Sequence, residues 1–148
     1  MDCKIFLICY IITSKGHIMN KQQVEDLLQQ YFAGILVHQR VFSELLDILS
    51  QTGVEKQFFK LLQKYLNMLS QMGLQATTLN GFEPIEKGIY SMKFKFSGFN
   101  IRILYAFRGD EEPILLLAFY ERAGKDCTDY SGCIKPACDR LAEMKGMN

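Results

Sequence analysis

The chain has 148 residues, enough for one domain, and 49% of them are hydrophobic, enough for a sizeable core. With 22% charged residues and abundant phenylalanine, disorder throughout the chain is excluded. A net charge of +1 separates it from strongly basic nucleic-acid binders, so contact with a polyanion has to come from a local patch.

An apolar run over residues 5–12 follows the single Lys4. It is too short to cross a membrane and lacks the flanks of a secretory signal. An ordinary amphipathic pattern opens at Met19-Asn20, so residues 1–18 are expected to be an extension and residues 19–148 the domain. Val24, Leu27, Leu28 and Tyr31 share one face of a predicted helix over Lys21–Tyr31. Residues 35–41 are β-branched enough for a strand, which places His38 in it as a structural residue. Phe42, Leu45, Leu46 and Leu49 recur at helical spacing up to a stop at Gly53. Phe58, Leu62, Tyr65, Leu66 and Leu69 repeat the pattern as far as Gly73, and the pair reads as a helical hairpin.

A loop is expected over residues 77–87, after which the period changes. Tyr90, Met92, Phe94 and Phe96 alternate with Ser91, Lys93, Lys95 and Ser97, as in a half-buried strand. Past a turn at Ser97-Gly98, Ile101, Ile103, Tyr105 and Phe107 alternate in the same way. A second turn at Arg108-Gly109-Asp110 leads to residues 114–120, whose unbroken apolar run fits a strand covered on both faces. Residues 121–128 read as a loop. Ile134, Ala137, Cys138 and Leu141 outline a last helix, with Pro136 expected in its first turn, where a missing N–H costs nothing. The order predicts one α+β domain: a twisted, mostly antiparallel sheet of about four strands, a helical hairpin on one face and a C-terminal helix.

Five cysteines, with no C-x-x-C and no zinc spacing, read as reduced thiols of a cytoplasmic protein rather than a metal site. No glycine-rich phosphate loop, nucleophile elbow or H-E-x-x-H motif is present, so no cofactor and no metal are expected. Alternation sets Lys93 and Lys95 on one sheet face, roughly 7 Å apart. A hairpin brings Arg102 near them, and Arg122 leaves the third strand close by. That face is either an ordinary solvated surface or a cradle for phosphate, which arginine and lysine bind well. Metal-free RNA cleavage needs a base for the 2′-hydroxyl, cations for the charge at phosphorus and an acid for the leaving 5′-oxygen. With only His17 and His38 available, both outside the strand-rich half, the proton transfers fall to Glu121, Asp126, Tyr130 or a lysine.

Residues 88–107, GIYSMKFKFSGFNIRILYAF, resemble the core signature of the RelE/HigB toxin superfamily, closest to its phage-derived HigB-related branch. The sharpest piece is the R-x-x-Y of Arg102 and Tyr105. The apolar strand that follows in the family corresponds to ILLLAFYER over residues 114–122, and Gly124-Lys125, Tyr130, Ala137 and Arg140 resemble its basic loop and last helix. Where the family has an E-l-R sequence this chain has Ser91-Met92-Lys93, and Glu121 stands among the cations that end its strand. The resemblance implies a type II toxin that cuts mRNA without a metal, usually on the ribosome, and is neutralised by a helix-turn-helix antitoxin. It implies catalytic roles for Lys93, Arg102, Arg122 and Tyr130 and RNA-binding roles for Lys95 and Lys125. On the same fold, a non-catalytic interaction protein, such as a ParE-like gyrase inhibitor or a domesticated toxin, is the other expectation. It needs no convergence of cations.

Overall fold

The computed structural model describes residues 18–50, 52–96, 98–121 and 130–146. Of the expected extension, 1–17 lie outside the described residues, as do Arg122, Lys125 and Asp126.

Helix α1 (Lys21–Tyr31) starts at a reciprocal cap. Asn20 accepts from the Gln23 N–H, and the Gln23 side chain accepts from the Asn20 N–H. Strand β1 is only Leu36–Val37, shorter than the predicted strand over 35–41. The reason is His38, which leaves the strand and caps α2 (Gln39–Leu49), its Nδ1 accepting from the Arg40 N–H at 3.2 Å. Val41 therefore heads the apolar stripe that continues through Leu45 and Leu49. Helix α3 (Glu55–Met72) follows and stops at Gly73 with φ +56°, while α2 packs chiefly on α1 and on the last strand of the sheet rather than on α3, as the expected hairpin would require. Buried Glu55 ties the start of α3 to the turn before it and to the start of α1, accepting from the Met19 N–H at 2.7 Å, the Thr52 hydroxyl at 2.8 Å and the Gly53 N–H.

The loop expected over 77–87 in fact carries structure at its start and in its middle. A 3-10 helix runs over Gly73–Thr78, and β2 is Phe82–Pro84. A strand of three residues closed by proline suits only a sheet edge and leaves no periodic signal. Strands β3 (Tyr90–Phe96), β4 (Phe99–Arg108) and β5 (Glu112–Glu121) follow as a meander. The sheet thus has five strands rather than about four, in the order β1-β5-β4-β3-β2, with β1 parallel to β5 and the other neighbours antiparallel. The last helix, α4 (Ser131–Lys145), holds Pro136 in its second turn and not its first. Pro136 and Gly132, whose carbonyl loses its helical partner, both face solvent, which makes the interruption tolerable.

Alternation along the strands divides the core in two. Met92, Phe94, Ile101, Ile103, Tyr105 and Leu115 face α1–α3, where Phe94 packs on Phe58 and Tyr65. Leu104, Ala106, Ile114, Leu116 and Leu117 face α4 through Ala137, Cys138 and Leu141. Strand β5 is thus covered on both sides, as its unbroken apolar run predicts. Gly81 joins the layers at the far edge. At φ +96° it is left-handed, and a Cβ there would overlap the Tyr65 hydroxyl, which donates to the Lys93 carbonyl at 2.8 Å.

Candidate functional site

Helix α4 covers only the apolar half of the second sheet face. The other half is polar because each of β2, β3, β4 and β5 turns polar there, though in staggered rows: Ser91 faces Leu104 on β4, and Arg102 faces Phe119 on β5. Glu83 lies opposite Ser91, Lys93 opposite Arg102, Lys95 opposite Asn100, and Asn100 opposite Glu121. Directly opposed residues share a face at close range, so Lys93 and Arg102 come together as expected. Lys95 is exposed one row further along the same face.

Arg102 is not an open cation. It is 4% exposed, and its Nη2 lies 2.7 Å from Glu121 Oε2. Glu121 is as deeply buried, and its Oε1 has no hydrogen-bond partner among the described residues. The acid that the sequence sets among the cations is therefore the counter-ion of the central arginine. The positions of Arg122 and Lys125 in the chain, directly after β5, lie outside the described residues.

Tyr130, the residue before α4, reaches across to β2 and β3. Its hydroxyl donates to Glu83 Oε2 at 2.9 Å and lies 3.1 Å from Ser91 Oγ, while its ring meets Phe119 edge-on at 6.1 Å. Burial raises the pKa of Tyr130; the Ser91 hydrogen bond and the Arg102 charge oppose the rise, and Glu83 adds to it. The phenol thus stays protonated and hydrogen-bonded to a carboxylate. Glu83 is the site residue that sequence reasoning missed, because its strand is too short to show a period. Its signal would have been the pairing of a lone carboxylate with the Tyr130 hydroxyl, which only the tertiary fold supplies.

Tyr105 has a different place from its motif partner. It points to the core among Tyr90, Phe82 and Phe107, one face away from Arg102. Its hydroxyl is buried without a partner among the described residues, and burial, with Tyr90 adding to it, drives its pKa far up. Two consequences are expected. Tyr105→Phe removes an unpaired polar atom and should stabilise the fold by about 1 kcal/mol at neutral pH. Tyr65, Tyr105 and Tyr130 all have pKa values raised above the ordinary 10.0, so above that pH the unfolded chain releases protons that the folded chain keeps. Their contribution to stability is complete below pH 10 and is lost as pH climbs through the raised values. Urea titrations from neutral to alkaline pH should show that decline, shallower in the Phe variant. A Phe variant less stable than wild type at neutral pH would refute the account of Tyr105.

His38 stands far from this cluster, at the α2–α4 junction. Because Nδ1 accepts the cap bond, Nε2 carries the proton and donates to Glu143 Oε2 at 2.8 Å. Beside it Arg140 is held by Glu44, so the cleft these residues line has its histidine and its buried arginine already engaged. Among the described residues no group of three or more His, Cys, Asp or Glu side chains is gathered closely enough to hold a metal ion. No helix among them is long and apolar enough to cross a membrane.

Comparison with known proteins finds no match among family models, curated proteins or solved structures.

Proposed function

We propose that this chain is a RelE/HigB-type toxin, a metal-independent endoribonuclease that cuts mRNA on the ribosome in the cytoplasm and is restrained by a helix-turn-helix antitoxin. Beside the resemblance over residues 88–122, one observation carries the reading. At one end of one sheet face, two phosphate-binding cations, Lys93 and Arg102, stand next to a tyrosine–carboxylate pair, Tyr130 and Glu83. In this scheme Glu83 takes the 2′-hydroxyl proton as the oxygen attacks phosphorus, and Tyr130 passes a proton to the departing 5′-oxygen. Lys93 meets the charge that grows on the phosphoryl oxygens, with Arg102 buried directly beside it. Lys95 holds the next phosphate along the strand. Arg122 and Lys125 follow β5 in the chain, and the resemblance gives them catalytic and RNA-binding roles.

A second reading, a binding-only protein on the same fold, is favoured by the buried Arg102–Glu121 pair, which spends the charge of the central arginine inside the protein. Inducing the full chain in a bacterium while mapping mRNA 5′ ends separates the two. Growth arrest with new cleavage sites, lost in Lys93→Ala, in Glu83→Gln and in Tyr130→Phe, is the expected result. Arrest with intact mRNA would overturn the nuclease reading in favour of a bound target such as gyrase.

A further inference from the structure

Helix α3 has an unusual division of charge. One side is fixed to the core by Phe58, Phe59, Leu62, Tyr65, Leu66 and Leu69. Apart from buried Glu55, its charged residues are Lys56, Lys60 and Lys64. At four-residue spacing these form a row about 12 Å long within an arc of about 80°. None of the three is paired with a carboxylate in any ion pair among the described residues. Like charges at this spacing weaken a helix rather than support it, so the row has no role in holding α3 together. Gln63, Asn67 and Gln71 fill the same strip, all exposed.

We propose that this strip is a docking surface for the sugar–phosphate backbone of RNA. It lies on the side of the molecule away from the polar sheet face, because α3 packs on the opposite face of the sheet. Charge names a polyanion, and side-chain chemistry narrows it. Protein interfaces are centred on aromatic, methionine or arginine anchors and are depleted in lysine. Met68 at the margin of this strip is partly buried and packs against the core, and the strip itself has lysines and amides with no aromatic or arginine anchor among them. Those are the residues that contact phosphate and sugar in nucleic-acid complexes. The rigid rod presents them as a fixed row, whose charges phosphates can neutralise without ordering the protein first. The proposal does not rest on the cleavage reading, since a protein that cuts nothing can hold RNA here.

The test is fluorescence anisotropy of a labelled oligouridylate with the full chain across a range of KCl concentrations. The Lys56→Gln, Lys60→Gln, Lys64→Gln variant should bind about tenfold or more weakly at low salt, with the slope of log affinity against log salt reduced by about 2. Arginine at the same three positions should keep both affinity and slope, and thermal melts should show the glutamine variant as stable as wild type. A glutamine variant with the wild-type slope overturns the proposal, as does failure of the wild type to bind at low salt. Displacement by polyglutamate as effective as by unlabelled RNA would also overturn it, making the occupant an acidic polypeptide. Lys93→Ala, which abolishes cleavage under the nuclease reading, leaves the loss caused by the glutamine variant unchanged, so the two ideas fail separately.

Discussion

Arg102→Ala should destabilise the protein by about 3–5 kcal/mol, the cost of leaving a buried carboxylate without its partner. Both members of the pair are nearly inaccessible, and Glu121 already has one oxygen unpartnered among the described residues. The loss should therefore lie at the severe end for single substitutions. Replacing both members by apolar residues of similar size, Arg102→Met with Glu121→Leu, should recover most of it, because the desolvation of two charges disappears with the pair. Urea denaturation of the two singles and the double closes the cycle. The double variant also has a functional use. If it is folded and still cleaves mRNA on induction, Arg102 belongs to the architecture and the cations at phosphorus are others. If it is folded and inert, the guanidinium acts on substrate. An Arg102→Ala variant as stable as wild type would show that the ion pair does not form.

Arg140→Ala is the second large effect, at about 3 kcal/mol. Arg140 grips Glu44 through both terminal nitrogens, at 2.8 and 2.9 Å, and also donates to the Leu116 carbonyl at 2.9 Å. Glu44 in turn accepts from the Ala118 N–H at 3.1 Å. These bonds serve the outer edge of β5. Its parallel partner β1 ends at Val37, and the register shift opposite Leu104 and Tyr105 leaves Leu116 as an extra residue in the strand. Side chains from α2 and α4 thus take the place of a missing stretch of neighbouring strand. Glu44 is a quarter exposed, which keeps the effect below that of the Arg102 pair. Glu44→Ala should cost nearly as much as Arg140→Ala, and the double variant clearly less than the sum. In both singles the Ala118 amide should exchange its hydrogen faster than in wild type. Additive losses with unchanged exchange would show that the network does not act as a unit.

The elements that a repeating pattern could announce were legible. Lys21–Tyr31 is a helix over those same residues, and the meander with its two turns falls where alternation places it. The sequence places Arg102 near the lysines once the two strands form a hairpin, and the register sets it opposite Lys93. Three kinds of information were not in the pattern. Val41 reads equally well as the end of a strand or the head of a helical stripe, and a cap bond at His38 decides it. Glu83 sits in a strand of three residues, too short for any period. Glu121 looks like one acid among cations, and only the tertiary register turns it into the buried partner of Arg102. The R-x-x-Y spacing shows the same limit, since its two residues end on opposite faces of the sheet and do different work.

The pairing of β1 with β5 has a consequence for how the chain is made. Leu36 meets Ile114 across more than half of the sequence, and all three helices of the first layer lie between them or before them. When α1, α2 and α3 emerge during synthesis, the sheet that will cover their apolar stripes does not yet exist. The hairpins of β3, β4 and β5 close quickly from near neighbours, whereas β1 waits for a large loop to be brought together. A nascent chain stopped before β5 therefore displays bare leucine and phenylalanine faces, a natural substrate for holding chaperones until the last strand arrives.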